Sequence, residues 1–381
     1  MTVSPRSAII GPVAANIAFV MELTLVPLLL PSIQLQFDLS ISELAWVFNS
    51  YGIAVALGVL LGGWCGDAFS TRKVFGYGVA FFAVGSLLVA AADGFESLLI
   101  GRAIQGVGGG IFSPLVPLLL TRASPLNPGR TLIAWGSIAG YVTALVPLFY
   151  GSLLGAQSWN FAFIFIAILA GIALVILNGL QTIDNLAPTA SAKAKYSELF
   201  ISRNLWLTFI FVFCTYGSIT YYLFRLPVWM SDQNVETVGV GLMLSILWLT
   251  FSGLSTLLRN MVDRPHLRMI MLATPLLIVA GFLLSYSSQS FPLLILSSVL
   301  VGSALACSNA PSTQLVLKFA PNGMSAISTS LDITFARLGG IMTVAILSDA
   351  EFAYAASAIC FSNFVAAFCA MKISKELANS S

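Results

Sequence analysis

Charge is scarce in this chain. Its 381 residues include 17 Lys and Arg and 15 Asp and Glu, or 8%, against about 25% in a typical soluble domain. So little polar surface cannot cover a core of this size in water. Histidine is almost missing: the single one, His266, sits in a basic loop, so no histidine-based metal or acid–base constellation can be assembled. Paired cysteines are missing too. Cys65, Cys214, Cys307, Cys360 and Cys369 fall in or beside apolar stretches, and none makes a C-x-x-C pair. They read as small buried hydrophobes, not as metal ligands or a disulfide framework. A net charge of +2 lacks the basic excess of a nucleic-acid binder. Neither a cofactor nor a metal is expected, and no nucleophile–base pair is recognisable.

What the chain has instead is apolar length. Hydrophobic residues make up 58% and the mean hydropathy is +0.95. Segments long enough to cross a bilayer recur near 8–34, 43–64, 73–92, 97–121, 130–154 and 159–180, then near 204–231, 237–258, 267–287, 291–317, 324–348 and 351–371. The first follows one basic residue, Arg6, as a signal peptide would, but it runs from Ile9 to Leu35 with no small-residue cleavage site after it. It is therefore read as a retained span. Between the sixth and seventh spans lies the longest polar stretch, Gln181 to Arg203. The expectation is an all-α integral membrane protein of twelve transmembrane helices in two six-helix bundles, residues 1–180 and 204–381, joined by a linker at 181–203.

The basic residues orient this map. Numbering the loops from a cytoplasmic N-terminus puts Arg6, Arg72, Lys73, Arg122, Arg130, Lys193, Lys195, Arg203, Arg259, Arg264, Arg268, Lys318, Lys372 and Lys375 on one side. The opposite loops carry Asp38, Glu43, Asp93, Glu96, Asp232, Glu236, Asp349 and Glu351 and no Lys or Arg. The positive-inside rule then predicts both termini in the cytoplasm of a cell with this protein in its inner membrane. A miscounted span would scramble the alternation after it. Asp67 to Arg72 after the second span and Asp263 to Arg268 after the eighth repeat one spacing, as two repeats about an axis along the membrane normal would.

Several segments carry a family likeness. Met21-Glu22-Leu23-Thr24-Leu25-Val26-Pro27, ending in Leu30-Pro31, resembles L-D-x-T-x-V-N-x-A-L-P. Trp46 and Tyr51 match a W…Y pattern in the second span. Gly63, Asp67, Arg72 and Lys73 resemble the loop G-x-x-x-D-R-x-G-R-R, with Ala68, Ser70 and Thr71 in place of three of its residues. Arg102-Ala103-Ile104-Gln105-Gly106-Val107-Gly108 matches R-x-x-Q-G-x-G in full. These segments resemble the major facilitator superfamily, in its drug:proton antiporter branches. The resemblance implies alternating access, a gating loop at Asp67 and Arg72, and spans 1 and 4 on a central cavity. At Val146-Pro147-Leu148-Phe149-Tyr150-Gly151 the chain departs from the antiporter motif G-P-x-x-G-G by two glycines, which leaves export and import both open.

Ionisable residues inside spans cost roughly 2.5–3.5 kcal/mol on insertion scales, so they tend to be paired or to face a wet cavity. Glu22 is near the middle of span 1 and Arg102 in the outer part of span 4. Burial favours a protonated carboxyl and a nearby arginine favours a carboxylate, so a conformational change can switch Glu22 between them. Glu22 and Arg102 are therefore the candidate proton-coupling pair; a static tether is the plainer alternative. Asp332 and Arg337 lie five apart in span 11, off one helical face, and either bind substrate or tether helices. Arg225 precedes Pro227 near the outer end of span 7, where snorkelling competes with an outer gate or a substrate contact. Gly106, Gly108, Gly109 and Gly110 lie inside an apolar span, where small residues serve helix packing. Span 10 has a polar, proline-interrupted stretch from Ser308 to Gln314, the kind of broken helix that lines transport sites. Asn49, Tyr51, Gln105, Tyr141, Asn309, Gln314, Asp332 and Arg337 are the candidate cavity residues. The expected partners are a small-molecule substrate, protons and the lipid bilayer, with the protein a monomer. The expected function is proton-coupled efflux of a small amphipathic or anionic metabolite or drug. A proton-coupled importer is the alternative, with a membrane-embedded enzyme or non-transporting receptor as the reading from another class.

Overall fold

The computed structural model describes residues 5–124, 128–153, 159–178, 199, 201–258, 267–287, 290–321 and 324–373. Side chains are described throughout these except at 5–8, 67–68, 128–130, 132–134, 178, 286–287 and 325–326. The elements are α1 (Pro5–Phe37), α2 (Ile41–Ala68), α3 (Thr71–Ala90), α4 (Phe95–Phe112), α5 (Leu115–Ala123), α6 (Pro128–Leu153), α7 (Trp159–Asn178), α8 (Arg203–Asp232), α9 (Thr237–Leu258), α10 (Leu267–Ser287), α11 (Phe291–Phe319), α12 (Ser325–Leu347) and α13 (Phe352–Lys372). Twelve spans among the described residues are long and apolar enough to cross a bilayer. A helix satisfies its own backbone, and that is what lipid demands of a spanning segment.

Prolines give the two departures from the expected map. The fourth span, expected as one helix over 97–121, is interrupted between α4 and α5 at Ser113 and Pro114. Pro114 has no N–H to continue the ladder, so the α4 ladder ends on the bond from Ser113 N to Gly109 O at 3.0 Å. The tenth span shows the reverse. Instead of breaking, α11 runs on through Pro311. Nearby hydroxyls bond within and across the helix, with Ser312 Oγ donating to Asn309 O at 3.1 Å and Ser308 Oγ bonded to Thr215 Oγ1 of α8 at 3.1 Å.

Local signals set the ends between spans. Asp38 adopts a left-handed φ of 48° after α1. Ser40 then caps α2 through a reciprocal box: Glu43 N donates to Ser40 Oγ at 3.2 Å and Ser40 N to Glu43 Oε2 at 2.9 Å. Ser70 caps α3 by accepting from Lys73 N at 3.4 Å.

The chain divides into two compact units, residues 1–190 with 236–241, and residues 191–235 with 242–381. Their internal packing repeats. In the first unit α1 packs on α6 and α7, and α3 on α4 and α7. In the second α8 packs on α12 and α13, and α10 on α11 and α13. Numbered by span, these are the same four pairings. The matched loops carry matched contacts as well. Arg72, at the start of α3, donates to Leu177 O at the end of α7 at 3.0 Å. Arg268, at the start of α10, donates to Ala370 O at 3.1 Å and to Met371 O at the end of α13. In both units an arginine stabilises the negative C-terminal end of a helix.

Candidate functional site

The glycines of α4 determine what surrounds Arg102. They lie on several sides of the helix, and each lets a neighbouring helix approach. A Cβ at Gly106 would stand 2.6 Å from Tyr51 O of α2, and one at Gly109 would stand 2.9 Å from the Phe19 ring of α1. On α3, Gly85 meets the backbone of Gln105. Three helices therefore close on the turn of α4 that carries Arg102 and Gln105, two residues on one face at i and i+3.

Arg102 is 2% exposed and Glu22 1%. Arg102 Nη1 donates to Glu22 Oε1 at 2.5 Å and to Gln105 Oε1 at 2.8 Å, and Nε donates to Val47 O at 3.3 Å. The guanidinium carbon lies 4.2 Å from the centroid of the Tyr51 ring. Gln105 Nε2 donates to Ser86 Oγ at 2.9 Å, and Ser86 Oγ donates to Phe82 O at 2.8 Å. This chain of bonds orients the acceptor that holds Arg102. The carboxylate is held less fully. Glu22 Oε2 is buried and has no hydrogen-bond partner among the described residues. The pair therefore joins a guanidinium with several anchors to a carboxylate with one anchored oxygen and one open oxygen.

The other candidates are dispersed. Asn49 and Tyr51 are buried on α2, and Tyr51 joins the cluster through its ring face. Tyr141 on α6 is 66% exposed and lies outside the cluster. Asp67 has its side chain outside the described residues. Beside it, Thr71 Oγ1 accepts from Arg122 Nη1 at 3.0 Å, so the ends of α3 and α5 are tied. In the second unit Asn309 and Gln314 are half-buried on α11. Asp332 of α12 is buried, and its Oδ1 has no hydrogen-bond partner among the described residues. Asp332 and Arg337 form no ion pair with each other among those residues. Where spans 1 and 4 share an ion pair, the equivalent spans 7 and 10 share hydroxyl bonds, between Thr215 and Ser308 and between Tyr222 and Ser297. Sequence reasoning missed Ser86 and the Val47 carbonyl. A serine deep in an apolar span was the available signal for Ser86; a backbone carbonyl gives none.

Twelve apolar spans among the described residues, with a buried carboxylate–guanidinium pair inside the first unit, define a polytopic helical membrane protein with a charged interior site. Residues 13–344 match the family described as Major Facilitator Superfamily, and the chain belongs to that family. It is 30% identical over 202 residues to the Multidrug resistance protein B homolog of Mycobacterium tuberculosis (strain CDC 1551 / Oshkosh), a match spanning 52% of this chain and 37% of that protein. It is 30% identical over 159 residues to the Tetracenomycin C resistance and export protein of Streptomyces glaucescens, spanning 41% and 29%. The matched segments thus cover about a third of those relatives' lengths. Among solved structures, that of a D-xylose-proton symporter superposes with a TM-score of 0.78 at 17% identity, covering 97% of each chain. That likeness is one of fold.

Proposed function

We propose that the chain is a proton-coupled secondary transporter that exports a small amphipathic or anionic metabolite or drug by alternating access. In this reading it spans the bacterial inner membrane with both termini in the cytoplasm, as the one-sided basic loops suggest. Residues 1–180 and 204–381 supply the two moving bodies, joined by 181–203. The observation that carries the reading is Glu22, a buried carboxylate bonded to Arg102 through one oxygen and open at the other. Intramembrane carboxylates of this kind mark proton and substrate pathways.

The residues suggest how coupling works. Deprotonated Glu22 binds Arg102 and ties α1 to α4. Proton arrival at Glu22 neutralises the carboxyl and releases that tie. Arg102 stays in place on Val47 O, Gln105 Oε1 and the Tyr51 ring, so α1 is the helix set free. Export is favoured because the matched relatives carry the names of resistance and export proteins.

An importer on the same fold is the second reading, favoured by the two glycines lost at Val146 to Gly151. Ethidium accumulation in cells expressing the chain separates the two. Export predicts lower accumulation than in cells carrying Glu22→Gln, with the difference abolished by a protonophore. Higher accumulation in the wild type would support import, and equal accumulation across a panel of cationic, neutral and anionic dyes would count against transport.

A further inference from the structure

The second unit contains a cavity of about 130 Å³ that the Glu22–Arg102 cluster does not use. It lies toward the end of α8 and is lined by Tyr222, Arg225, Trp229, Phe282, Ser285 and Phe352 among others. Ala350, in the connection between α12 and α13, sits at its edge. That connection is one of the loops without Lys or Arg.

Most polar groups of the walls have partners. Tyr221 OH donates to Leu347 O at 3.1 Å, and Tyr222 OH is bonded to Ser297 Oγ at 2.8 Å. Ser285 Oγ donates to Phe282 O at 2.7 Å. Phe282 and Phe352 stack with centroids 5.4 Å apart and planes 8° from parallel, and Tyr221 leans on Phe282 at 5.9 Å. Both tyrosine hydroxyls are thus already engaged. Arg225 differs. Its Nη1 is buried, makes no hydrogen bond among the described residues, and stands 3.8 Å from Asp232 Oδ2, a loose contact to a carboxylate that is itself 55% exposed.

A cavity with aromatic walls and one uncommitted guanidinium suits a ligand with a flat apolar body and a single anionic group. Arginine holds carboxylates through paired N–H donors. An apolar cavity of roughly 150 Å³ holds a benzene ring, so the volume fits one ring. We propose that this cavity binds a single-ring aromatic monocarboxylate, with Arg225 holding the carboxylate, the aromatic wall holding the ring, and Asp232 competing for the guanidinium when the site is empty. The site lies wholly in the second unit, and its existence does not depend on Glu22 carrying a proton.

The full chain, purified and placed in lipid nanodiscs, tests this with radiolabelled benzoate. Saturable binding is expected, with the neutral isostere benzamide at least tenfold weaker as a competitor. Arg225→Gln should weaken benzoate at least tenfold while the protein stays monodisperse. Asp232→Asn should tighten binding several-fold, a gain that misfolding cannot produce. Ser40→Ala, outside both this cavity and the Glu22–Arg102 pair, should bind as the wild type does, and because the readout is binding and not proton movement, loss of proton coupling and loss of this site are read separately. Absence of benzoate binding by the folded wild type overturns the proposal. So does benzamide competing as well as benzoate, Arg225→Gln binding normally, or Asp232→Asn weakening the complex.

Discussion

Glu22 and Arg102 are unequal partners, and their substitution should show it. Arg102 has three further contacts: Gln105 Oε1, Val47 O and the Tyr51 ring. Glu22→Gln keeps a carbonyl oxygen for Nη1 and leaves the guanidinium among acceptors and a ring face. Exchanging a charged hydrogen bond for a neutral one costs about 1–2 kcal/mol. Arg102→Gln instead leaves a carboxylate that is 1% exposed without its cation. Breaking a buried pair in this way costs about 3–5 kcal/mol. The double substitution puts two amides where the pair was and removes the stranded charge, so its loss should stay near that of Glu22→Gln. The coupling energy from the cycle is then at least about 2 kcal/mol, far from the additivity of independent sites. Unfolding of the purified chain by SDS titration in mixed micelles measures it. The pair is buried, so the coupling should change little between low and high salt. Additive losses within about 0.5 kcal/mol, or a Glu22→Gln loss larger than that of Arg102→Gln, would refute the reasoning.

Three further outcomes follow from the packing and the caps. Gly106→Ala would place a Cβ 2.6 Å from Tyr51 O and should cost about 1–3 kcal/mol through overpacking; Gly63→Ala, with nothing within 4 Å of its Cβ, is the matched control and should be near neutral in the same titration. Ser40→Ala removes the acceptor for Glu43 N and should cost about 1 kcal/mol without altering ethidium accumulation. Arg268→Met removes the donors to Ala370 O and Met371 O and should speed amide hydrogen exchange in the last turn of α13, with a stability loss of roughly 0.5–2 kcal/mol; unchanged exchange there would show that the arginine is not a cap.

The spans were legible because bilayer thickness leaves few solutions. Every crossing needs about 20 apolar residues, and little in solvent obscures that pattern. Proline was not legible in the same way. Pro114 interrupts its span and Pro311 does not, and residue type alone does not separate the two. Glu22 and Arg102 could be picked out singly, since any charge in an apolar span is conspicuous. Their partners could not. Ser86 is one hydroxyl among many until Gln105 is seen beside it, and Val47 contributes only its carbonyl. The Arg225 cavity was hidden for a related reason. In sequence, Phe282 and Phe352 look like residues facing lipid, and only the fold shows them stacked against each other. The repeated spacing around Arg72 and Arg268 was a faint echo in the chain; in the fold it becomes two matching helix-end contacts.

Proton movement driven by substrate is the most direct measure of what Glu22 does. Proteoliposomes loaded with pyranine report internal pH when a compound identified by the accumulation screen is added outside. With wild-type protein the internal pH should shift on addition of compound, and a protonophore should abolish the shift. With Glu22→Gln the shift should vanish, while exchange of compound across the membrane at equal concentration persists. A Glu22→Gln protein that still moves protons with its substrate would contradict the assignment of Glu22 as the coupling carboxylate.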